Sequence, residues 1–389
     1  MWYEPVVRFF AFLQAGVVYV CSLIGLVPNS LCTAPTVFVS ENCYQIVWET
    51  SQPSTAWVDV GGVTYTDHLA GNIRWDQKTH KVEVPFEALD AAKGYEIHYR
   101  HMIAKLAGYP VLQGKEFSKR YAFRPMDPGD GLQIYNISDN HSALSPADTV
   151  ARYWGDKLDL LILNGDIANN IDSPSALNDV LELAFAVTGG GRPVLYARGN
   201  HETRGAYRLE FDRWVGCPGP DRYYFTTRLG PLWIAVFDAG EDKLDGHVEY
   251  EGLADFDAYR AKETAYFENV AANAAKEFDA PGVEYRLLVS HIPVGEDKEA
   301  YRAAQEKWTA LANQMKLDLA ISGHWHSLNY YAPGSYNGQA YPLIIGARPI
   351  QSTSDGSYTA TALEFKDGKI TAWFTGIEHQ AVREIAVKG

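Results

Sequence analysis

The sequence predicts an α/β fold with two helix-flanked sheets, preceded by an all-β sandwich. Three observations carry that prediction. From Thr33 to Arg124 the chain reads as short β-rich runs separated by turn residues, with no convincing helical period. Beyond the stretch RPMDPGDGL, apolar strand runs alternate with helix-like segments. Five of those later strand runs stop at Gly, Asp, Asn or His, in patterns unlike ordinary turns.

At 389 residues the chain is long for one core, and two domains are expected. The opening segment, residues 1–28, stands apart from both. Over Phe9–Pro28 only Gln14 is strongly polar, and a run of about 20 apolar residues matches the thickness of a bilayer when helical. A secretory signal has a shorter apolar core, a more basic start and a small-residue cleavage site. Here Arg8 is the only basic residue ahead of the run, Glu4 offsets it, and no A-x-A follows. An uncleaved membrane anchor is favoured over a cleaved signal, and a helix packed on the protein's own surface is the third alternative. Membrane association or export is accordingly expected ahead of a cytoplasmic location.

Residues 29–126 make up the predicted sandwich. CYQIVWETS is one apolar-rich run; TAWVDVGGVTYTD is two, joined at Gly61-Gly62 by a two-residue hairpin turn. HKVEVPF, YEIHYRHMIA and RYAFRP continue the pattern. Residues 127–389 form the second domain. LQIYNIS, LDLLILNG, RPVLYARG, YRLLVSH and LDLAISG are buried-strand runs, while SALNDVLELAFAVTG and DKEAYRAAQEKWTALANQM read as helices. Two hairpins are visible as well, turning at Leu229-Gly230-Pro231 and at Asp367-Gly368.

Apolar residues are 47% of the chain and charged residues 21%, an ordinary globular balance. The net charge of −14 repels phosphodiester backbones, which argues against a nucleic-acid partner unless a local cation overrides it. None of the four cysteines (Cys21, Cys32, Cys43, Cys217) sits in a CxxC pair, so a thiolate metal site is not expected. Cys32 and Cys43 can pair in an exported protein or stay reduced. Cys217 is read as structural.

The chemistry lies at the strand ends. The first run leads into Asp139-Asn140-His141, the second into Gly165-Asp166 and the third into Gly199-Asn200-His201-Glu202. The fourth leads into His291, and the fifth into Gly323-His324-Trp325-His326. Open α/β sheets place their ligands at the carboxyl ends of strands. Side chains alternate along an extended segment, so His324 and His326 face the same way. Asp and Asn offer oxygen and neutral His offers nitrogen, a donor set for two divalent ions such as manganese, iron or zinc rather than calcium or magnesium.

These blocks, D-x-H, G-D, G-N-H, a lone His and G-H-x-H, resemble the calcineurin-like metallophosphoesterases over about residues 130–330. The resemblance implies a four-layer αββα sandwich and a dinuclear centre. Carried over by position, Asp139, His141, Asp166 and His326 hold one metal. Asp166, as a bridge, holds the second with Asn200, His291 and His324. His201 is then not a ligand and faces the leaving group as the catalytic acid. In the implied reaction, two metals roughly 3.5–4 Å apart activate a hydroxide that attacks the phosphorus of a small phosphorylated substrate. Phosphate monoester hydrolysis is the expected activity; phosphodiester cleavage at the same site is an alternative. A catalytically silent protein-binding scaffold is another, though such proteins lose ligands and this chain keeps them all.

A second resemblance concerns the first domain. YQIVWETSQPSTAWVDVGG followed by YAFRP resembles the fibronectin-type domain ahead of the catalytic domain in purple acid phosphatases. The chain departs from those enzymes in carrying Asp139-Asn140-His141 where they have D-x-G, and Asn169 where they have a tyrosine ligand. Other relatives place a carboxylate at that position to orient the catalytic histidine. Asn169 can hold the imidazole by a hydrogen bond without supplying charge.

Arg204 can contact the phosphate bidentately or pair with Glu202 or Glu210. His247, in the acidic loop GEDKLDGHVEYEGLADFDAYR, can line the substrate pocket if that loop covers the metals, or be solvated. Trp325 is read as core packing. His68, His80, His98, His101 and His379 are read as strand-surface or loop residues.

Overall fold

The computed structural model describes residues 4–26, 29–105, 111–250, 252–349 and 357–388. Two large sheets lie face to face. The second has a parallel centre and an antiparallel strand at each edge, in the order Phe225–Leu229, Leu232–Phe237, Tyr285–Ser290, Leu319–Ser322, Leu343–Ala347 and Ser327–Tyr331. The first is centred on the parallel strands Leu132–Ile137, Leu160–Asn164 and Pro193–Ala197. The Thr359–Lys366/Lys369–Gly376 hairpin extends it on one side.

Period-two alternation builds the layers. Ile134, Ile162 and Leu195 face inward onto Ile234, Leu287 and Ile321 of the other sheet. Their neighbours Tyr135, Leu161 and Val194 face outward onto Val150 and Leu181, on the helices Leu144–Ala151 and Asp179–Thr188. The second sheet turns Ala235, Leu288 and Ala320 toward Phe267 and Trp308, on the helices Phe256–Ala272 and Arg302–Gln314. The result is helix, sheet, sheet, helix. Each fully buried aliphatic side chain in these interfaces contributes about 1.5–3 kcal/mol.

The β-rich region expected ahead of this unit is present, and it continues the same sheet. Leu31–Ser40 pairs in parallel with Pro193–Ala197, placing Val37 opposite Pro193 and Phe38 opposite Val194. The long strand Cys43–Val60 then changes partners. Its first half lies between Leu31–Ser40 and Gln77–Pro85, its second half between Gly94–Lys105 and Val63–Thr66, with a register break before Ser54. The Gly61-Gly62, Gly230-Pro231 and Asp367-Gly368 turns fall between paired strands.

The helix Glu4–Leu23 is the described helix long and apolar enough to cross a membrane. Phe9, Phe10, Phe12 and Val17 are exposed along it, while Ala15 and Ser22 are buried and Ser22 lies against Gly114. Residues 1–3 and 27–28, at the two ends of the predicted apolar segment, lie outside the described residues. All four cysteines are free, so Cys32 and Cys43 do not pair. Ser40 stands opposite Cys43 in the register, eight residues from Cys32. The strand-surface expectation for His80, His98 and His101 is corrected, since all three are buried. His80 sits against Trp48 with its Nε2 at 3.0 Å from Thr50 Oγ1.

Candidate metal centre

Three of the five blocks leave their strands through bends that ordinary side chains avoid. Asp139, His141, Ser142, Asp166, His324 and His326 all have positive φ, between 43° and 67°. Such backbone costs of order 1–3 kcal/mol per residue and persists where surrounding structure enforces it. Two glycines make the bends possible by close approach. A Cβ on Gly199 would lie 2.3 Å from the backbone N and Oδ1 of Asp166. One on Gly323 would lie 2.5 Å from Asp139 Oδ2.

These bends bring the predicted residues to one centre. Asp166 uses Oδ1 to accept the His201 backbone N–H at 2.9 Å, which leaves Oδ2 to the imidazoles. His291 Nε2 lies 3.1 Å from that oxygen, and His141 and His201 Nε2 each lie 4.0 Å from it. Asp139 Oδ1 is 3.5 Å from His326 Nε2 and 3.8 Å from His291 Nε2. His324 Nδ1 faces Asn200 Oδ1 at 3.1 Å. Among the described residues, three groups can hold a metal ion: Asp139 with His141 and His326, His141 with Asp166 and His201, and Asp166 with His291 and His324.

The donor atoms have the character a cation needs. His291 Nδ1 is 2.7 Å from the Asn164 carbonyl, so Nδ1 donates there and Nε2 is turned inward toward Asp166. His141 and His326 point their Nε2 atoms at each other at 3.1 Å, an arrangement that requires a proton or a cation between them. Burial holds His141 down at about 4 and His324 at about 3, the latter helped by His291 and Lys298; both imidazoles are neutral, as ligands must be. Burial raises Asp139. Burial would also raise Asp166, but His291 outweighs it and holds that carboxylate well below its usual range. Burial alone would lower His291, yet Asp166 and Asp139 drive it up to about 10. Two buried carboxylates thus favour positive charge between them, from the His291 proton or from a cation.

The site contains residues that the motifs did not point to. Glu202 is buried and accepts four backbone N–H groups, from Asp166 (2.9 Å), Ile167 (2.7 Å), Ala168 (3.1 Å) and Gly199 (2.9 Å). It ties the Gly165-Asp166 loop to the Gly199-Asn200 loop, and its one sequence signal is a charge adjoining the His201 block. Lys298 places Nζ 3.1 Å from His324 Nε2 and 3.1 Å from Asp242 Oδ2.

His201 is held differently from the expectation. Its Nδ1 meets the backbone carbonyl of Asn169, while the Asn169 side chain takes no part in that bond. Arg204 pairs with neither Glu202 nor Glu210. Its guanidinium grips Glu241 (Nε–Oε2 2.6 Å, Nη2–Oε1 2.7 Å), reaches Asp242 at 3.4 Å and brings Nη1 to 3.3 Å from His201 Nε2. His247 is exposed, accepts the Glu249 N–H on Nδ1, and does not join the cluster. Trp325 packs beside Tyr331 and Tyr336 and donates to Glu296 at 2.9 Å.

Comparison with known proteins gives a consistent picture. A family model described as calcineurin-like phosphoesterase matches residues 132–328, just over half of the chain. Among solved structures, a purple acid phosphatase from yellow lupin (Lupinus luteus) seeds is similar with a TM-score of 0.57 at 12% identity, covering 90% of this chain and 73% of that one. PhoD is similar with a TM-score of 0.51 at 10% identity, covering 92% of this chain and 88% of that one. No curated protein sequence matches. The fold, the strand-end residues and the matched span lead to one conclusion: the chain belongs to the calcineurin-like phosphoesterase family and is a hydrolase acting on phosphate esters.

Proposed function

We propose that the chain hydrolyses phosphate monoesters, with two divalent cations, manganese, iron or zinc, held by the strand-end residues. Asp139, His141, Asp166 and His326 would hold one, and Asp166, Asn200, His291 and His324 the other. The observation that carries this reading is the convergence on Asp166 Oδ2 of three Nε2 atoms from separate loops, around two buried carboxylates. When bound, such cations would lower the pKa of a coordinated water and neutralise phosphate oxygens.

The chain's own residues set the geometry. Asp166 presents one oxygen to the centre because the His201 N–H occupies the other. Asn164 fixes the tautomer of His291. The Asn169 carbonyl fixes the plane of His201, so its Nε2 faces the site and can carry the proton handed to the departing alkoxide. Burial holds the His201 pKa down, and the negative charge of an incoming phosphate favours its protonation. Arg204 Nη1 donates to the ring's Nε2 at 3.3 Å, so Nε2 must give up this bond to take the proton. The exposed apolar helix Glu4–Leu23 is consistent with attachment to a membrane or with a signal.

The test is phosphate release from 4-nitrophenyl phosphate and from its bis-ester, each with added manganese, iron or zinc. Faster turnover of the monoester is expected. Preference for the bis-ester would convert the reading to a phosphodiesterase, and no release with any metal would leave a silent scaffold.

A further inference from the structure

Arg204 is held against His201 by a buried framework of its own. Its Nη1 lies 3.3 Å from His201 Nε2. Glu241 takes the rest of the fork, accepting from Nε at 2.6 Å and from Nη2 at 2.7 Å. A guanidinium is planar and rigid, so the two bonds to Glu241 fix where Nη1 points.

Glu241 is held in turn. It follows the strand Leu232–Phe237, whose end carries none of the predicted ligands. Arg260, on the helix Phe256–Ala272, donates from Nε to the Ala239 carbonyl and from Nη2 to the Glu241 carbonyl, both at 3.0 Å. Asp238 accepts from Arg198 Nη2 at 2.7 Å, from the Tyr259 hydroxyl at 2.6 Å and from the Gly240 N–H at 2.9 Å. Glu263 accepts the Asp238 N–H at 2.9 Å. Ionisable groups are costly to bury and persist where they are paired. Here Asp238, Glu241, Arg260 and Glu263 are all buried in keeping one short loop in place, and what that loop presents is the carboxylate on Arg204.

A histidine that hands on a proton from Nε2 is a donor there, and an arginine has donors alone. Two donors 3.3 Å apart cannot bond to each other, yet one oxygen can lie within about 3 Å of both. We propose that this oxygen is the departing ester oxygen, that Arg204 is a second catalytic residue donating to it from Nη1, and that Glu241 is the positioning residue. The proposal rests on the phosphatase reading and deepens it. Water's oxygen bonds to phosphorus, and the bond from phosphorus to the ester oxygen breaks with its electron pair going to that oxygen. His201 supplies the proton that completes the alcohol, and a proton from the water restores His201. Arg204 keeps all its protons and stabilises the charge that builds on the departing oxygen.

The experiment is kcat on metal-loaded protein for aryl phosphates graded from 2,4-dinitrophenyl, whose phenolate departs unaided, to 4-methylphenyl, whose oxygen needs stabilising. Arg204→Lys keeps a charge opposite Glu241 and loses the fork. It should slow the 4-methylphenyl ester about 100–1,000-fold and the dinitrophenyl ester less than about tenfold. Glu241→Gln should show the same gradation at lower amplitude. Combined with Arg204→Lys it should add nothing, since it acts through that arginine. Metal content should stay at the wild-type value in both variants. If Arg204→Lys does not fold, Arg204→Gln/Glu241→Gln removes both charges together and carries the same comparison between esters. An equal loss on every ester, or loss of metal, overturns the assignment of Arg204. Failure of the wild-type protein to release phosphate from any of these esters instead removes the phosphatase reading and this inference with it.

Discussion

Glu202 accepts the backbone N–H of Asp166 at 2.9 Å, and through the same carboxylate the N–H of Gly199, also at 2.9 Å. One buried anion therefore fixes the spacing of two ligand-bearing loops. Glu202→Gln exchanges an acceptor for an amide that must donate in part, into a place offering four donors. Cation affinity should drop by about 10–100-fold, the range seen when groups supporting metal ligands are lost. Calorimetric titration of manganese or zinc reads the change. Unaltered affinity would mean that the loops keep their spacing without Glu202.

His201 and Asn169 make a paired test. His201→Ala should lower kcat by about 10²–10⁴-fold, as expected of a lost proton donor, while both metals remain bound. Asn169→Ala should change kcat less than about threefold, because its carbonyl, not its amide, meets the ring. Metal analysis alongside kinetics separates the two roles. Loss of metal in the His201 variant would make that residue a ligand.

Asp166→Ala removes the oxygen toward which His141, His201 and His291 are turned. Both metals should be lost together in a stoichiometry measurement on purified protein. Retention of one full equivalent would deny Asp166 a shared position.

His80 gives a pH prediction away from the centre. Burial, assisted by Arg213, lowers its pKa to about 3. A depressed histidine is neutral when folded and takes a proton more readily when unfolded. Its contribution is whole above the unfolded pKa near 6.5 and is lost as pH falls toward 3, by at most about 1.4 kcal/mol per pH unit. Calorimetric unfolding from pH 7.5 to 4.5 should show His80→Gln losing stability less steeply than the wild type, by about one proton. Parallel curves would show that His80 is protonated in the folded protein.

The proposed division after residue 126 can be tested by removing residues 1–126. Pro193–Ala197 would then lose its parallel neighbour Leu31–Ser40 and become an open edge whose residues are all buried in the intact protein. The remaining fragment should aggregate on gel filtration. A monomeric fragment that still binds metal would establish residues 127–389 as an independent unit.

The five strand-end blocks were legible because a strand and the polar residues that close it are neighbours in the chain. What supports them was not. Asn169 acts through its carbonyl, a group every residue carries, so nothing in its side chain announces the contact. Lys298 reaches His324 across the fold from a segment with no motif of its own. The helix Phe256–Ala272 starts inside the stretch read as an acidic loop, and its buried face includes Arg260, Glu263 and Thr264 as well as Phe267 and Val270. With charges on the inside, the apolar period that betrays a helix is absent. The parallel pairing of Leu31–Ser40 with Pro193–Ala197 is a bond between backbones about 150 residues apart, and strand patterns carry no record of such partners.

The left-handed bends at Asp139, His141, Asp166, His324 and His326 have a consequence for heat tolerance. Glycine at any of them would ease the turn and delete a donor atom, so relief and loss arrive in the same substitution. The rim is a sprung jaw: the tension that aims its teeth is offset only when something is between them. Chelator should therefore loosen the whole molecule, lowering the melting temperature and speeding amide exchange first at the three loops that carry these bends.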